Sequence, residues 1–151
     1  MFLNNYSQDG TFGVFSTFSS VYLESCNFTT SNAVLNHGPT LAISSYLYVA
    51  DSSSVTLYHC RIEGSEGSAG VVVLGRSSLV INRSFFLRNH GNEVGAISAA
   101  SYLKVNIIDS FFEGNLGSVA GDLRLSSSEQ TSGVSNSVFT HSKGGSSIMF
   151  E

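Results

Sequence analysis

The sequence has little charge. Only 12% of its 151 residues are Asp, Glu, Lys or Arg, about half the usual share of a globular domain. The seven basic residues are dispersed along a chain of net charge −4. This argues against a nucleic-acid partner, because such a surface needs clustered Lys and Arg.

Long apolar runs are also absent. No stretch reaches the about 18 to 20 consecutive apolar residues that cross a bilayer, so no membrane span is expected in this chain. The first residues, Met1-Phe2-Leu3-Asn4-Asn5-Tyr6, lack the basic head and apolar stretch of a secretory signal.

Candidate metal ligands are few. Cys26 and Cys60 are the only cysteines, too few for a disulfide-based scaffold or a zinc site. No group of three or more aspartates offers calcium its oxygen ligands. The tripeptides Asn36-His37-Gly38 and Asn89-His90-Gly91 make a paired-histidine site conceivable, but Asn and Gly favour a reading as turns. We therefore expect no metal and no cofactor.

What the chain does contain is one short pattern that recurs five times. Its anchor is a large apolar residue, at Phe28, Ile62, Phe86, Phe112 and Phe139. The steps between anchors are 34, 24, 26 and 27 residues. A period of this size is typical of repeat proteins, whose units stack on one another.

Three other positions of the repeat each keep one residue class. The fifth residue before the anchor is aliphatic: Leu23, Leu57, Ile81, Ile107 and Val134. The third before it is polar: Ser25, His59, Arg83, Asp109 and Asn136. The second before it is small: Cys26, Cys60, Ser84, Ser110 and Ser137. Even spacings within each unit are typical of strands, and the odd step between them predicts a bend.

These columns predict an all-β chain folded as a parallel β-helix of about five to six coils over residues 1–151. The anchors and aliphatic residues would form ladders in its core. A second strand should follow each anchor, for example Leu41-Ala42-Ile43. The long first step predicts a larger loop, around Asn36-His37-Gly38-Pro39 or Tyr46-Leu47-Tyr48-Val49. An antiparallel sandwich is the alternative fold, although it does not require one residue class per position.

Neither end resembles the cap of a solenoid, so we expect a segment of a longer array, uncapped at both ends. Cys26 and Cys60 occupy one position in successive units. They are interpreted as small buried residues stacked on each other. A disulfide between neighbouring coils is the alternative, since adjacent strands lie roughly 4.8 Å apart.

Two short elements carry a family resemblance. Phe2…Asn5, Phe86…Asn89 and Phe112…Asn115 match a Phe-x-x-Asn element. Val94-Gly95-Ala96-Ile97 is near a Gly-Gly-Ala-aliphatic element, with Ala120-Gly121-Asp122-Leu123 and Ala69-Gly70-Val71-Val72 weaker. The chain thus resembles the repeats of polymorphic outer-membrane proteins, which are autotransporter passengers with a right-handed, pectin-lyase-like β-helix. The resemblance implies a surface-displayed or secreted rod with an adhesive role.

Many polysaccharide lyases and hydrolases have a similar fold and carry acidic residues and an arginine on the outer face of one sheet. His59, Arg83, Asp109 and Glu113 are the corresponding candidates here. A carboxylate pair would serve as general acid and base. The simpler interpretation is that Arg83 and Asp109 form an exposed ion pair between strands.

The residue before each anchor should face outward, which exposes Phe85 beside Phe111. These rings are either a lateral contact surface or are covered by a loop or another part of the full-length protein. Asn5, Asn27 and Asn82 each begin a triplet that matches the N-glycosylation pattern. Such triplets also arise by chance in a serine-rich chain.

The residues therefore favour a non-enzymatic segment of a secreted or cell-surface protein, adhesive or structural. Its partner would be a host or cell-surface protein or a carbohydrate. The alternative is a fragment of a carbohydrate-active enzyme.

Overall fold

The computed structural model describes residues 2–3, 11–29, 45–67, 69–126 and 131–151. These residues contain nineteen strands and no helix, and the strands stack in parallel as a β-solenoid of about four turns. The predicted fold class is confirmed, with slightly fewer coils than five to six. Sheet C holds five described strands, so only four steps separate its first winding from its last.

Sheet A carries the anchors. Its strands, in spatial order, are β1 (Phe2–Leu3), β4 (Asn27–Thr29), β7 (Arg61–Glu63), β11 (Phe85–Leu87), β15 (Phe111–Glu113) and β18 (Val138–Thr140). All neighbours are parallel; the five anchors pair with one another in register, and Phe2 pairs with the first of them, Phe28. The Phe86 and Phe112 rings stack with centroids 4.8 Å apart, and Phe112 and Phe139 at 4.5 Å.

Sheet C carries the aliphatic ladders. Its strands, in chain order, are β3 (Ser20–Glu24), β6 (Ser54–Tyr58), β10 (Ser78–Asn82), β14 (Lys104–Ile108) and β17 (Thr131–Ser135). Leu57, Ile81 and Ile107 stack in register and are fully buried. Val134 also pairs with Ile107, but it is 36% exposed and is not a core residue. The reason is that β17 is the outermost described strand of this sheet, so no strand among the described residues covers its far side.

Sheet B closes each winding. Its main strands are β2 (Thr11–Thr17), β5 (Ser45–Ala50), β9 (Val71–Val73), β13 (Ile97–Ala100), β16 (Leu116–Ser126) and β19 (Lys143–Phe150). Two short strands extend the sheet beside the first part of β16: β12 (His90–Gly91) pairs with β16, and β8 (Glu66–Gly67) pairs with β12. Leu47, Val71, Ile97 and Leu123 stack inside it. The three sheets thus enclose one apolar core.

The placement of the second strands needs two corrections. Tyr46-Leu47-Tyr48-Val49 is not a loop but part of β5, because Leu47 pairs with Val71 inside sheet B. The alternative loop around Asn36-His37-Gly38-Pro39, and the proposed strand Leu41-Ala42-Ile43, lie outside the described residues. Ile97 pairs with Val71. The predicted match of Ala69-Gly70-Val71-Val72 to Val94-Gly95-Ala96-Ile97 is therefore one residue out of register.

The predicted bend is confirmed as a left-handed residue between sheets C and A. All five residues of the polar column have positive φ: Ser25 (53°), His59 (51°), Arg83 (49°), Asp109 (49°) and Asn136 (47°). This backbone turns the chain and reverses which side chains face inward. Asn, Asp and His tolerate it best among non-glycine residues, which explains part of the composition of the column.

The small inward residues after the bend form a hydrogen-bonded ladder. Ser84 Oγ donates to the Asn82 carbonyl at 2.9 Å and accepts from the Cys60 N–H at 3.1 Å. Ser110 Oγ makes the same two contacts one winding later. Cys60 Sγ stands in for a serine hydroxyl, 3.5 Å from the Tyr58 carbonyl. Both cysteines are free thiols, and burial raises the pKa of the Cys60 thiol.

Candidate functional site

The outer face of sheet A carries an exposed apolar line, here called the aromatic strip: Phe85, Phe111 and Val138. The Phe-Phe pairs begin β11 and β15, and alternation along a strand sends the second ring inward and the first outward. Phe85 pairs in register with Phe111, and Phe111 with Val138. The two rings lie 6.3 Å apart, tilted by 53°. Phe85 is 47% exposed, Val138 52% exposed and Phe111 half-buried.

One edge of the strip is the bend column. Arg83 and Asp109 stand two residues before Phe85 and Phe111, and both are exposed. Arg83 Nε lies 3.9 Å from Asp109 Oδ2, and Arg83 Nη1 donates to the Tyr58 hydroxyl at 3.2 Å. The structure therefore brings Arg83 and Asp109 together as a surface ion pair, of a kind that contributes only about 0.2–1 kcal/mol.

The other two candidate catalytic residues make contacts of their own. Glu113 stands at the end of β15, two residues after Phe111, with its Oε1 4.0 Å from His141 Nδ1. The His59 ring stacks on Tyr58 with centroids 4.2 Å apart. Asp109 and Glu113 thus border Phe111 from opposite sides, each beside its own basic neighbour. A glycosidase instead directs two carboxyl groups at one bond.

A second charged group borders the strip near Phe85. Arg61 pairs in register with Phe85, and its Nη2 lies 2.7 Å from Glu63 Oε2. Arg88 also forms an ion pair with Glu63. Both guanidinium groups are therefore held by one partly buried carboxylate.

The sequence reasoning missed a polar network inside the solenoid. Asn89 and Asn115 are fully buried and stack on adjacent windings. Asn115 Oδ1 accepts from the Asn89 backbone N–H at 2.9 Å, and Asn115 Nδ2 donates to the Phe86 carbonyl at 3.0 Å. Asn89 Nδ2 donates likewise to the Ile62 carbonyl. The Phe-x-x-Asn element was the signal: its phenylalanine stacks in the core and its asparagine satisfies the turn that follows.

Asp122 ends this network. Its side chain is fully buried, with Oδ1 2.8 Å from Asn115 Nδ2 and Oδ2 2.6 Å from Ser147 Oγ. Loss of hydration raises the pKa of the Asp122 carboxyl, and hydrogen bonds from Ser147, Asn115 and Ser142 oppose that rise. Within the described part of the chain, no salt bridge involves Asp122.

Close backbone packing accompanies the network. A Cβ on Gly95 would lie 2.2 Å from the Gly121 carbonyl oxygen, so only glycine fits there. The glycine of Val94-Gly95-Ala96-Ile97 is thus explained by the close approach of successive windings.

The structure describes only some of the other sequence candidates. Within the described ranges, no three His, Cys, Asp or Glu side chains are grouped to hold a metal ion. His37 lies outside those ranges, as does Asn5. The Oδ1 atoms of Asn27 and Asn82 are buried. Where the structure describes the chain, it contains no helix able to span a membrane.

Comparison of the chain with family models, with curated proteins and with solved structures finds no match in any of the three. The proposed function therefore rests on the fold and on the outer face of sheet A.

Proposed function

We propose that this chain is a non-enzymatic β-solenoid segment of a secreted or cell-surface protein, and that it acts in adhesion through the outer face of sheet A. The single observation that supports this is the aromatic strip. Apolar side chains in register on three successive strands, two of them about half exposed, are typical of an interaction surface. The ladders beneath them hold the strip on a rigid base.

The resemblance to polymorphic outer-membrane protein repeats supports the same proposal. The Phe-x-x-Asn element accounts for the Phe86 and Asn89 ladders, so it fits a role in building the solenoid. An extracellular or cell-surface location is part of this proposal. Surface proteolysis of intact cells of the source organism, followed by detection of the chain, tests it.

Binding to cells or to extracellular matrix tests the adhesive role. The intact chain should bind in a saturable manner, and Phe111→Ser should weaken that binding while leaving the unfolding transition unchanged. Equal binding by both proteins would refute a role for this face.

A carbohydrate-active enzyme is the second candidate function. It is favoured by one observation: Arg83, Asp109 and Glu113 all border the same exposed rings. Incubation with neutral and acidic polysaccharides, followed by measurement of reducing ends and unsaturated products, tests it. Turnover that Arg83→Ala abolishes would replace the adhesive proposal.

A further inference from the structure

The aromatic strip has the geometry of a linear stacking platform. Strands of a parallel sheet repeat at about 4.8 Å, and Phe85 and Phe111 occupy one position on adjacent strands. Their centroids lie 6.3 Å apart. A ligand that uses both rings must therefore extend along the solenoid axis and present two apolar faces that are turned relative to each other, because the ring planes differ by 53°.

The charges around the strip cancel. Three guanidinium groups border it, on Arg61, Arg83 and Arg88, and three carboxylates pair with them or with His141: Glu63, Asp109 and Glu113. The net charge of this border is zero when His141 is neutral. Each guanidinium group around the strip already contacts a carboxylate, so a phosphate, sulfate or carboxylate on the ligand would compete with Glu63 or Asp109 for it. The local charge balance therefore favours a neutral ligand.

The chemistry of the border also separates the classes of ligand. Protein interfaces have few charged residues at their cores, whereas paired charges stand on both sides of Phe111. Single-stranded nucleic acid stacks on rings but also needs a positively charged groove, which a balanced border does not supply. A sugar ring has an apolar face and a rim of hydroxyl groups. Its face fits the ring, and its rim fits the donors and acceptors beside it.

We infer that the aromatic strip binds a neutral linear glycan that lies along the solenoid axis, one sugar on each of Phe85 and Phe111. The inference rests on the adhesive function proposed above and names its ligand class. Asp109 accepts hydrogen bonds from sugar hydroxyls on one side of the strip, and Glu113 accepts them on the other.

Titration of the intact chain with oligosaccharides tests this inference. The probes are β-1,4-glucan, β-1,3-glucan, β-1,4-mannan and chitin oligomers of two to six sugars, with polygalacturonate and heparin as acidic comparisons. At least one neutral series should bind, and its affinity should rise with chain length because two rings must be covered. Phe85→Ser and Phe111→Ser should each weaken binding by roughly tenfold.

Tyr22→Ser is the matched control, since Tyr22 is 60% exposed but lies on sheet C; it should leave glycan binding unchanged. The inference is wrong if no neutral glycan binds, if an acidic glycan binds more tightly, or if Tyr22→Ser weakens binding as much as Phe111→Ser. Binding to cells distinguishes failure of the glycan inference from failure of the proposed adhesive function. Phe111-dependent binding that survives enzymatic removal of surface glycans refutes the glycan but keeps the adhesive function, whereas absence of both cell and glycan binding refutes both.

Discussion

Asn115 donates a hydrogen bond to Asp122 over 2.8 Å in the interior of the solenoid. Asp122 in turn accepts one from Ser147 of β19. The last described winding is therefore fastened to the rest of the structure through a buried carboxyl group.

The stability of the chain should depend on pH through Asp122. Burial raises the folded-state pKa of its carboxyl above the ordinary value of about 3.9. Since the folded state then binds the proton more tightly, the free energy of unfolding should fall as pH rises from about 4 through the folded pKa. Asp122→Asn should reduce this slope and should be more stable than the wild type at pH 7.5. Urea unfolding at pH 4.5 and 7.5 measures both effects, and a less stable variant at pH 7.5 would contradict the argument.

Asn115→Ala should destabilise the fold by about 2–6 kcal/mol. The change leaves the Asn89 backbone N–H and the Phe86 carbonyl without their buried partners, and each unsatisfied group costs about 1–3 kcal/mol. Asn92→Ala is the control, because Asn92 is exposed and should change the unfolding free energy by no more than about 0.5 kcal/mol. Equal losses in the two variants would mean that the network contributes little.

Phe112→Ala should cost about 3–5 kcal/mol, because Phe112 is fully buried between Phe86 and Phe139. Phe85→Ala, in the neighbouring outward column, should cost less than about 1 kcal/mol. Chemical denaturation of both variants checks the difference. Similar losses would show that the outward ring is needed for folding.

The two thiols should differ in reactivity. Cys60 is fully buried and its pKa is raised, whereas Cys26 is only half-buried. Since the thiolate is the reactive species, iodoacetamide at pH 8 should modify Cys26 at least about tenfold faster, as measured by peptide mass spectrometry. Cys60→Ser should cost less than about 1 kcal/mol, because Ser84 and Ser110 already fill the equivalent positions. Faster labelling of Cys60 would contradict this order.

The ladders could be predicted from the sequence because in-register stacking places Phe86 beside Phe112 and Ile81 beside Ile107. The same register predicted that Phe85 lies beside Phe111. The exposure of Val134 could not be predicted in this way, because burial depends on a strand beyond it as well as on its own residue class. Asp122 was not identified either, since one of its donors, Ser147, lies on the next winding in β19, 25 residues further along the chain.

The fully in-register stacking of Phe86 on Phe112, 26 residues apart, has an evolutionary consequence. A gene that gained or lost one complete winding would leave every remaining ladder residue stacked on a neighbour of its own class. One residue inserted inside β11 would instead turn Phe86 towards solvent. Length variation among natural variants should therefore occur in whole windings, with single-residue changes confined to bulged segments such as the irregular pairing of β16 with β19.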